Sequence, residues 1–281
     1  MNPGVLERRA LALKAARAYF DSLGFVEVET PVRIAAPAPE PHIDCPPVAT
    51  GDFLRASPEL QMKRLLADGM EKIYQLGPCF RDGEKGSRHN PEFTMIEWYR
   101  AGADYREIAR DLVGLLRATG LDVGEPQRLG VREAYQRFAG WDPWEAWNQD
   151  RFDEDMALKI EPAIAEMGGG VFLCDYPSEA ASLARVSGDG KDRHAERWEF
   201  YFGGMELANA FSELCDSDEQ AARFRDAAEE RKTLGEADYP IDGEFLAALG
   251  RIGVAAGAAL GFDRLVMLLT GEKNISSVRF I

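Results

Sequence analysis

The chain has 281 residues, of which 46% are hydrophobic and 29% charged, and its formal net charge is −15. This composition is typical of a soluble globular protein, and the acidic balance argues against gripping a phosphate backbone as its main task. The four cysteines and three histidines are dispersed, and no apolar run approaches the roughly 18 residues of a membrane span, so we predict a cytoplasmic protein without a signal peptide, membrane segment or histidine-rich metal site.

Hydrophobic periodicity and the positions of glycine and proline predict the elements of the first half of the chain. The first is an amphipathic helix over 5–23, with Leu6, Leu13 and Phe20 near one face, and it is followed by a strand over 25–32 and an irregular loop over 33–52. A second helix is predicted after 57, with Ser57 as N-cap and Pro58 at its first position. Two strands around the polar loop that follows Arg81 and a helix over 105–119 complete this half.

The second half continues the alternation after a poorly patterned stretch, 121–170, that predicts one or two helices. The elements predicted after it are a strand in "GVFLCDYP", two strands about Gly203-Gly204, a helix with a Ser217/Gln220 capping box, and a strand followed by a helix in "AAGAALGFDRLVMLLTG". Because hairpin strands alternate with helices and no linker is evident, we predict an α+β fold with a mainly antiparallel sheet, in one domain over 1–281.

The strand in "RHNPEFTMIEW" mixes residue types on each face. Side chains alternate along a strand, so Phe93, Met95, Glu97 and Tyr99 share one face. An unpaired buried carboxylate is costly. Glu97 therefore needs a partner that the neighbouring sequence does not identify.

Three carboxylates recur at intervals of seven in "EFYFGGMELANAFSE": Glu199, Glu206 and Glu213. As helix heptads they would form a solvated stripe, but the aromatic residues and the glycine pair favour strands. Acids on such apolar strands are expected to face a cation. Strand alternation lets all three converge only if the second strand contains a bulge or bend.

Two arginine-bearing segments remain ambiguous when each is considered alone. Arg81 ends a strand before a polar loop and could equally be a surface residue. In "GAALGFDRL" the glycines allow a ligand to approach the backbone closely, although this spacing before a helix is more often typical of packing.

Taken in order, these segments resemble the three signature motifs of class II aminoacyl-tRNA synthetases, most closely the lysyl enzymes. The first helix with "GFVEVETPV" resembles motif 1, "FRDGEKGSRHNPEFTMIEWY" motif 2, and "GAALGFDRLVMLLTG" motif 3. "SPEL" and "MELANAFSEL" match the lysine subgroup. Motif 1 begins almost at residue 1, so we expect no anticodon-reading OB domain, and the chain is most similar to elongation factor P–(R)-β-lysine ligases.

The resemblance implies activation of (R)-β-lysine with ATP and Mg²⁺ as an aminoacyl adenylate, followed by transfer to a lysine of elongation factor P. It implies catalytic roles for Arg81 at the α-phosphate and Arg264 near the γ-phosphate and adenine. The other residues it places at ATP are Asp82, Gly83, His89, Asn90, Phe93, Glu206, Leu207 and Gly261. Glu199 and Glu206 are the implied Mg²⁺ ligands. The residues it places at the amino acid are Ser57, Pro58, Glu59, Glu97, Tyr99, Ala208, Asn209 and Glu213.

This sequence departs from the family pattern at two positions. Arg81-Asp82-Gly83 stands where the family has Arg-Asn-Glu, so Glu84 or a main-chain group must replace that glutamate, or the contact is lost. Ala208 stands where tRNA-charging lysyl enzymes have glycine. Its methyl group is expected to crowd the α-amine of ordinary lysine, so that Ala208→Gly should shift the preference toward α-lysine.

The resemblance further implies a homodimer formed through motif 1, with elongation factor P as the protein partner. Neither tRNA nor a membrane is an expected partner. Two alternatives remain open: a truncated lysyl-tRNA synthetase that makes lysyl adenylate or charges tRNA, and a non-catalytic paralogue that acts as a regulatory subunit. Against the second, Arg81, Arg264, Glu199 and Glu206 are all present.

Overall fold

A large, mainly antiparallel sheet forms the centre of the computed structural model, which describes residues 2–279. The strands are β1 (Val26–Glu27), β2 (Arg33–Ile34), β3 (Phe53–Leu54), β4 (Lys72–Phe80), β5 (Glu92–Ala101), β6 (Gln127–Gly130), β7 (Val171–Pro177), β8 (Val186–Ser187), β9 (His194–Phe202), β10 (Met205–Ser212) and β11 (Ala255–Gly261). Their order in the sheet is β1-β4-β5-β11-β10-β9-β7-β6, with β8 paired to β9, while β2 and β3 form a separate small sheet. The only parallel pairs in this part of the chain are β1–β4 and β6–β7, which confirms the predicted fold class.

Helices cover both faces of this sheet. They are α1 (Pro3–Ser22), α2 (Glu59–Ala67), α3 (Tyr105–Thr119), α4 (Val131–Ala134), α5 (Gln149–Asp155), α6 (Glu161–Met167), α7 (Ser217–Leu234), α8 (Gly243–Leu249) and α9 (Phe262–Thr270). Helices α1, α3 and α9 pack on one face and enclose the main core, whereas α2 and α8 pack on the other side. None of the helices within 2–279 is long and apolar enough to cross a bilayer.

Strand register separates an apolar face from a polar one. Trp98, Ala258, Ala210 and Trp198 are register partners across β5, β11, β10 and β9, and all four are buried in the main core. The small alanines in the middle leave room for the large aromatic rings on either side. The adjacent row across the same strands is Glu97, Ala259, Asn209 and Glu199, and it points to the opposite face.

The Gly203-Gly204 turn and the irregularity in β10 agree with the sequence. Both glycines have positive φ, 59° and 72°, as a tight hairpin between β9 and β10 requires. The β9–β10 register shifts between Glu206 and Ala208, which confirms the predicted bulge. This shift lets Glu206 share the polar face with residues further along β10.

Several predicted details are wrong. The N-cap of α7 is Asp216, whose carboxylate accepts hydrogen bonds from two backbone amides of the first turn, so Ser217 and Gln220 form no capping box. Leu6 is exposed, and the buried face of α1 carries Val5, Ala12 and Ala16 beside Phe20. Met1, Phe280 and Ile281, which belong to the predicted domain, lie outside the described residues.

Candidate active site

A cavity of about 380 Å³ lies over the polar face of the sheet. Most of the residues implicated by the sequence line it, from four strands, from the loops before α2 and β5, and from the first turns of α2 and α9. They are Ser57, Glu59, Arg81, His89, Asn90, Phe93, Glu97, Tyr99, Glu199, Glu206, Leu207, Ala208, Asn209, Gly261 and Arg264. Among the described residues, the predicted members that do not line the cavity are Pro58, Asp82, Gly83 and Glu213.

Arg81 and Arg264 supply positive charge to one part of the cavity. The guanidinium of Arg264 donates to the Glu206 carbonyl oxygen at 2.7 Å and to His89 Nε2 at 2.7 Å. Burial and the charge of Arg264 lower the pKa of His89, so the neutral ring can accept this bond. Arg81 lies over the Phe93 ring, 5.2 Å from its centroid. The geometry is that of a fixed pair of cations beside an aromatic surface.

Buried donors at this end have no partner among residues 2–279. They are Arg81 Nε and Asn90 Nδ2, and both residues line the cavity. A buried donor without a partner costs about 1–3 kcal/mol, so such donors are retained where a ligand supplies acceptors. Phosphate oxygens and purine nitrogens are suitable acceptors.

The structure shows how the chain accommodates glycine at position 83, where motif 2 normally has glutamate. Gly83 adopts a positive φ of 74°, and the Asp82 backbone amide donates to the Asp44 carbonyl oxygen at 2.7 Å, outside the cavity. The chain then turns so that Glu84 lines the cavity, 3.4 Å from Arg81 Nη1. Glu84 is therefore placed where it can replace the glutamate that is missing at position 83.

Glu199 and Glu206 both line the cavity and form a pair suited to a hard cation. Burial and the nearby charge of Glu199 raise the pKa of Glu206, so a cation between them would be attracted. No cluster of three or more His, Cys, Asp or Glu within 2–279 could hold a metal. Two carboxylates nevertheless fit Mg²⁺, which commonly binds one or two carboxylates together with substrate phosphates.

Glu97 occupies the other part of the cavity and is 2% exposed. Ser57 Oγ donates to one carboxylate oxygen at 2.7 Å, and the Tyr99 hydroxyl donates to the other at 2.6 Å. Burial and the negative charge of Glu59 raise the pKa of Glu97 to about 7. The two hydroxyl groups orient the carboxylate without neutralising it, so a cationic ligand is still favoured.

Lys63, on α2, was not identified from the sequence and forms an ion-pair triad with Glu59 and Glu213. Its Nζ lies 2.5 Å from Glu59 Oε1 and forms a second, very short ion pair with Glu213. Burial lowers the pKa of Lys63, but Glu213 and Glu59 outweigh this and raise it above its ordinary value. Glu59 reaches the cavity wall, whereas Glu213 is held behind it by Lys63.

The register corrects the predicted role of Ala208. Ala208 borders the cavity, but its row across the sheet is that of Leu260 and Phe200, and its side chain is buried with them in the main core. Ala259 projects from β11 into the polar row between Glu97 and Asn209. The methyl group at the cavity floor therefore belongs to Ala259 rather than to Ala208.

Other cavity residues were also missed. Arg197 donates to Asn209 Oδ1 at 3.1 Å and to Glu199 Oε1 at 2.6 Å. It therefore orients one residue predicted to bind the amino acid and one predicted to bind Mg²⁺. Strand alternation from Glu199 could have placed Arg197 on this face. Glu40 enters the cavity from the loop 33–52, where no periodic signal exists.

The chain is similar to known proteins over nearly its whole length. Residues 3–280 match the family model described as tRNA synthetases class II (D, K and N). The elongation factor P–(R)-β-lysine ligase of Pseudoalteromonas translucida is 38% identical, with 97% of this chain and 93% of the relative aligned. The proteins of the same name from Vibrio cholerae and Proteus mirabilis are each 37% identical over the same shares. The chain belongs to the class II tRNA synthetase family and, within it, to the group of elongation factor P–(R)-β-lysine ligases.

Proposed function

We propose that this protein activates (R)-β-lysine with ATP as an aminoacyl adenylate and transfers it to a lysine side chain of elongation factor P. Membership of this ligase family makes the chain an ATP-dependent ligase. The observation that carries the choice of substrates is the division of one cavity into an arginine-bearing part and a part with the half-buried carboxylate of Glu59 and the buried carboxylate of Glu97. A nucleotide triphosphate suits the first part, and an amino acid with two ammonium groups suits the second.

In the first step, a carboxylate oxygen of the amino acid attacks the α-phosphorus of ATP, and the bond to pyrophosphate breaks. Both reactants are anionic there, so the step depends on positioning and charge stabilisation. We assign Arg81 to the α-phosphate and Arg264 to the departing phosphates, because a guanidinium binds phosphate oxygens with two parallel donors. Glu199 and Glu206 would hold Mg²⁺, which neutralises the phosphate charge when bound.

In the second step, the amine of the acceptor lysine attacks the adenylate carbonyl carbon, and AMP departs with the anhydride oxygen. A protein acceptor rather than tRNA is supported by the net charge of −15, which opposes a polyanionic partner. It is also supported by the name of the aligned relatives. The reaction would take place in the cytoplasm, where translation factors act, in a single catalytic domain over 1–281.

We further propose a homodimer through motif 1. The segment exposes Leu11, at 56%, on α1 and Val26, at 51%, on β1. Strand β1 is also at the edge of the large sheet. Exposed apolar side chains beside a sheet edge are typical of an association surface.

The test combines the purified chain with ATP, Mg²⁺ and each lysine isomer, together with either elongation factor P or lysine tRNA, and measures intact mass. We expect elongation factor P to gain one β-lysyl group. Arg81→Lys and Arg264→Lys should lose at least about tenfold in rate, because they keep the charge but lose the planar fork. Arg128→Lys, at an exposed pair with Asp175, is the matched control. Charged tRNA beside unmodified elongation factor P would contradict the proposal.

A further inference from the structure

Lys63 is an enclosed cation behind the wall of the amino-acid part of the cavity, and the described lining does not include it. Its side chain is 1% exposed, and its Nζ lies 5.0 Å from the centroid of the Phe211 ring. Phe211 and Glu59 line the cavity, and Lys63 bonds to Glu59 one helical turn away on α2. An isolated ammonium in such a place would be strongly disfavoured, so its two carboxylate partners must hold it.

Glu213 faces Lys63 rather than the cavity. Its side chain is 1% exposed, and within 2–279 neither of its carboxylate oxygens receives an aligned hydrogen bond, although Lys63 lies at ion-pair distance. Glu213 is absent from the described cavity lining. Its charge therefore reaches a ligand through Lys63 and Glu59 and not by direct contact.

The charges of this part of the cavity can be counted with a ligand bound. When ionised, Glu59, Glu97 and Glu213 carry three negative charges, and Lys63 carries one positive charge. Glu40 and Arg197, which also line the cavity, carry opposite charges that cancel. Burial raises the pKa of Glu213 to about 8 in the ligand-free protein, and a bound dication favours its ionised form. The remainder is two negative charges. An amino acid with two ammonium groups supplies two positive charges, while its carboxylate goes to the arginine-bearing part.

We propose that Lys63 is a specificity-determining positioning residue, a built-in cation that holds Glu59 and Glu213 and sets the charge of the site to match a diamino acid. This inference rests on the proposed amino-acid substrate and adds a residue to its recognition. Without Lys63, the site has one negative charge more than the two positive charges of the diamino acid. With Glu213 neutralised, it has one negative charge fewer than those two. Removal of both restores the count with Glu59 and Glu97 alone.

The test is a cycle of Lys63→Met, Glu213→Gln and the double variant. Binding of lysine isomers is measured by calorimetry, and amino-acid-dependent ATP–pyrophosphate exchange gives KM and kcat. Each single change should weaken binding of the diamino acid at least about tenfold, as expected for a broken buried charge pair. The double variant should bind at least about tenfold more tightly than Glu213→Gln. KM for ATP should change little in all three.

The preference for a diamino acid over a monoamino acid is a further readout, because it would not change if Lys63 had only a structural role. Glu213→Gln should lower the ratio of kcat/KM for a diamino acid to kcat/KM for its analogue without the side-chain ammonium. The double variant should restore the wild-type ratio. Lys63→Arg, which keeps the charge, should retain the preference. Arg100→Met, which breaks the partly buried Arg100–Asp111 pair away from the cavity, is the control: it should lower the melting temperature without changing the KM for the amino acid.

The outcomes separate this inference from the proposed function. If the double variant binds no better than Glu213→Gln, Glu213 contacts the substrate directly and the role of Lys63 is refuted. The role of Lys63 is also refuted if Lys63→Met folds and binds the diamino acid as tightly as the wild type. If Lys63→Met does not fold, Glu213→Gln and the double variant still decide the matter. If the wild-type protein binds no diamino acid, the proposed function fails, and the inference fails with it.

Discussion

Ala259 and Glu97 are register partners on neighbouring antiparallel strands, and this pairing places the methyl group of Ala259 on the cavity floor beside the Glu97 carboxylate. Asn209 is its partner on the other side. An amino acid held by Glu97 and Asn209 would therefore lie against this methyl group. Ala208, one residue before Asn209, points into the core instead.

Ala259→Gly is accordingly expected to relax the selection between lysine isomers. Removal of one methyl group from a binding site changes discrimination by about 1–3 kcal/mol. We expect ATP–pyrophosphate exchange with α-lysine to rise relative to β-lysine.

Ala208→Gly is the matched control for this prediction. It removes the same methyl group from the core face, where an alanine-to-glycine change costs about 1 kcal/mol of stability. Its melting temperature should fall while the isomer preference stays as in the wild type. If Ala208→Gly changes the preference and Ala259→Gly does not, the assignment from the strand register is wrong.

Local patterns predicted the elements that bear on this site, because the patterns are long or strongly marked. The strand around Glu97 was predicted from alternation, the hairpin from the Gly203-Gly204 pair and the bulge from the spacing of Glu206 and Glu213. Alternation also correctly placed Phe93, Glu97 and Tyr99 on one face. These are properties of single strands or of adjacent ones.

Contacts between distant segments could not be predicted from such patterns. Lys63 reads as an ordinary charge on an amphipathic helix, and only the packing of α2 against the sheet brings it to Glu213, 150 positions later. The face of the sheet on which the Ala208 side chain lies depends on the position at which β10 resumes its alternation after the bulge. The family resemblance predicted which ligands bind, but it did not predict how the strands of this chain pair.

Gly257 is required by the position of Tyr99. A Cβ atom on Gly257 would lie 2.3 Å from Cδ1 and Cε1 of the Tyr99 ring. Gly257→Ala must displace the ring and so break the bond from its hydroxyl to Glu97. Such overpacking costs about 1–3 kcal/mol. We expect a lower melting temperature together with a raised KM for the amino acid.

The control for Gly257 is Gly243→Ala at the first position of α8, where an added Cβ meets no atom within 4 Å. Alanine should be neutral or slightly stabilising there, because it reduces the freedom of the unfolded chain. An unchanged KM for the amino acid in Gly257→Ala would mean that Tyr99 does not need its present position for substrate binding.

Glu84 is predicted to replace the glutamate that motif 2 lacks at position 83. Its pair with Arg81 is partly exposed, so Glu84→Gln should change the free energy of unfolding by less than about 1 kcal/mol. A lost hydrogen bond to a charged or polar group of ATP should nevertheless raise the KM for ATP by about tenfold. Steady-state exchange kinetics measure this directly.

The neighbouring carboxylate of Asp82 is the matched control, since it lies outside the described cavity lining and accepts a bond from the backbone amide of Gly83. Asparagine can still accept that bond, so Asp82→Asn should leave the KM for ATP unchanged. A loss confined to Asp82→Asn would instead assign the contact with ATP to Asp82, one position before the missing glutamate.

The raised pKa of Glu97 predicts a pH dependence for amino-acid binding. Burial and Glu59 raise this pKa to about 7, and only the ionised carboxylate attracts an ammonium group. The kcat/KM for the amino acid should therefore rise with pH to a plateau above about 7. Glu97→Gln should have a low value without this rise, whereas Glu92→Gln, at an exposed carboxylate on the same strand, should keep the wild-type profile.

Linkage extends the same argument to stability. The folded protein holds the Glu97 proton more tightly than the unfolded chain, in which the glutamate carboxyl has its ordinary pKa of about 4.5. Between about pH 4.5 and 7 the folded state thus binds more protons, so this group lowers the free energy of unfolding of the ligand-free protein as the pH rises. Glu97→Gln should remove that contribution, which denaturant titrations of both proteins at pH 5 and pH 8 would reveal. An equal fall in both proteins would show that Glu97 is ionised throughout this range and that its burial is fully compensated by its neighbours.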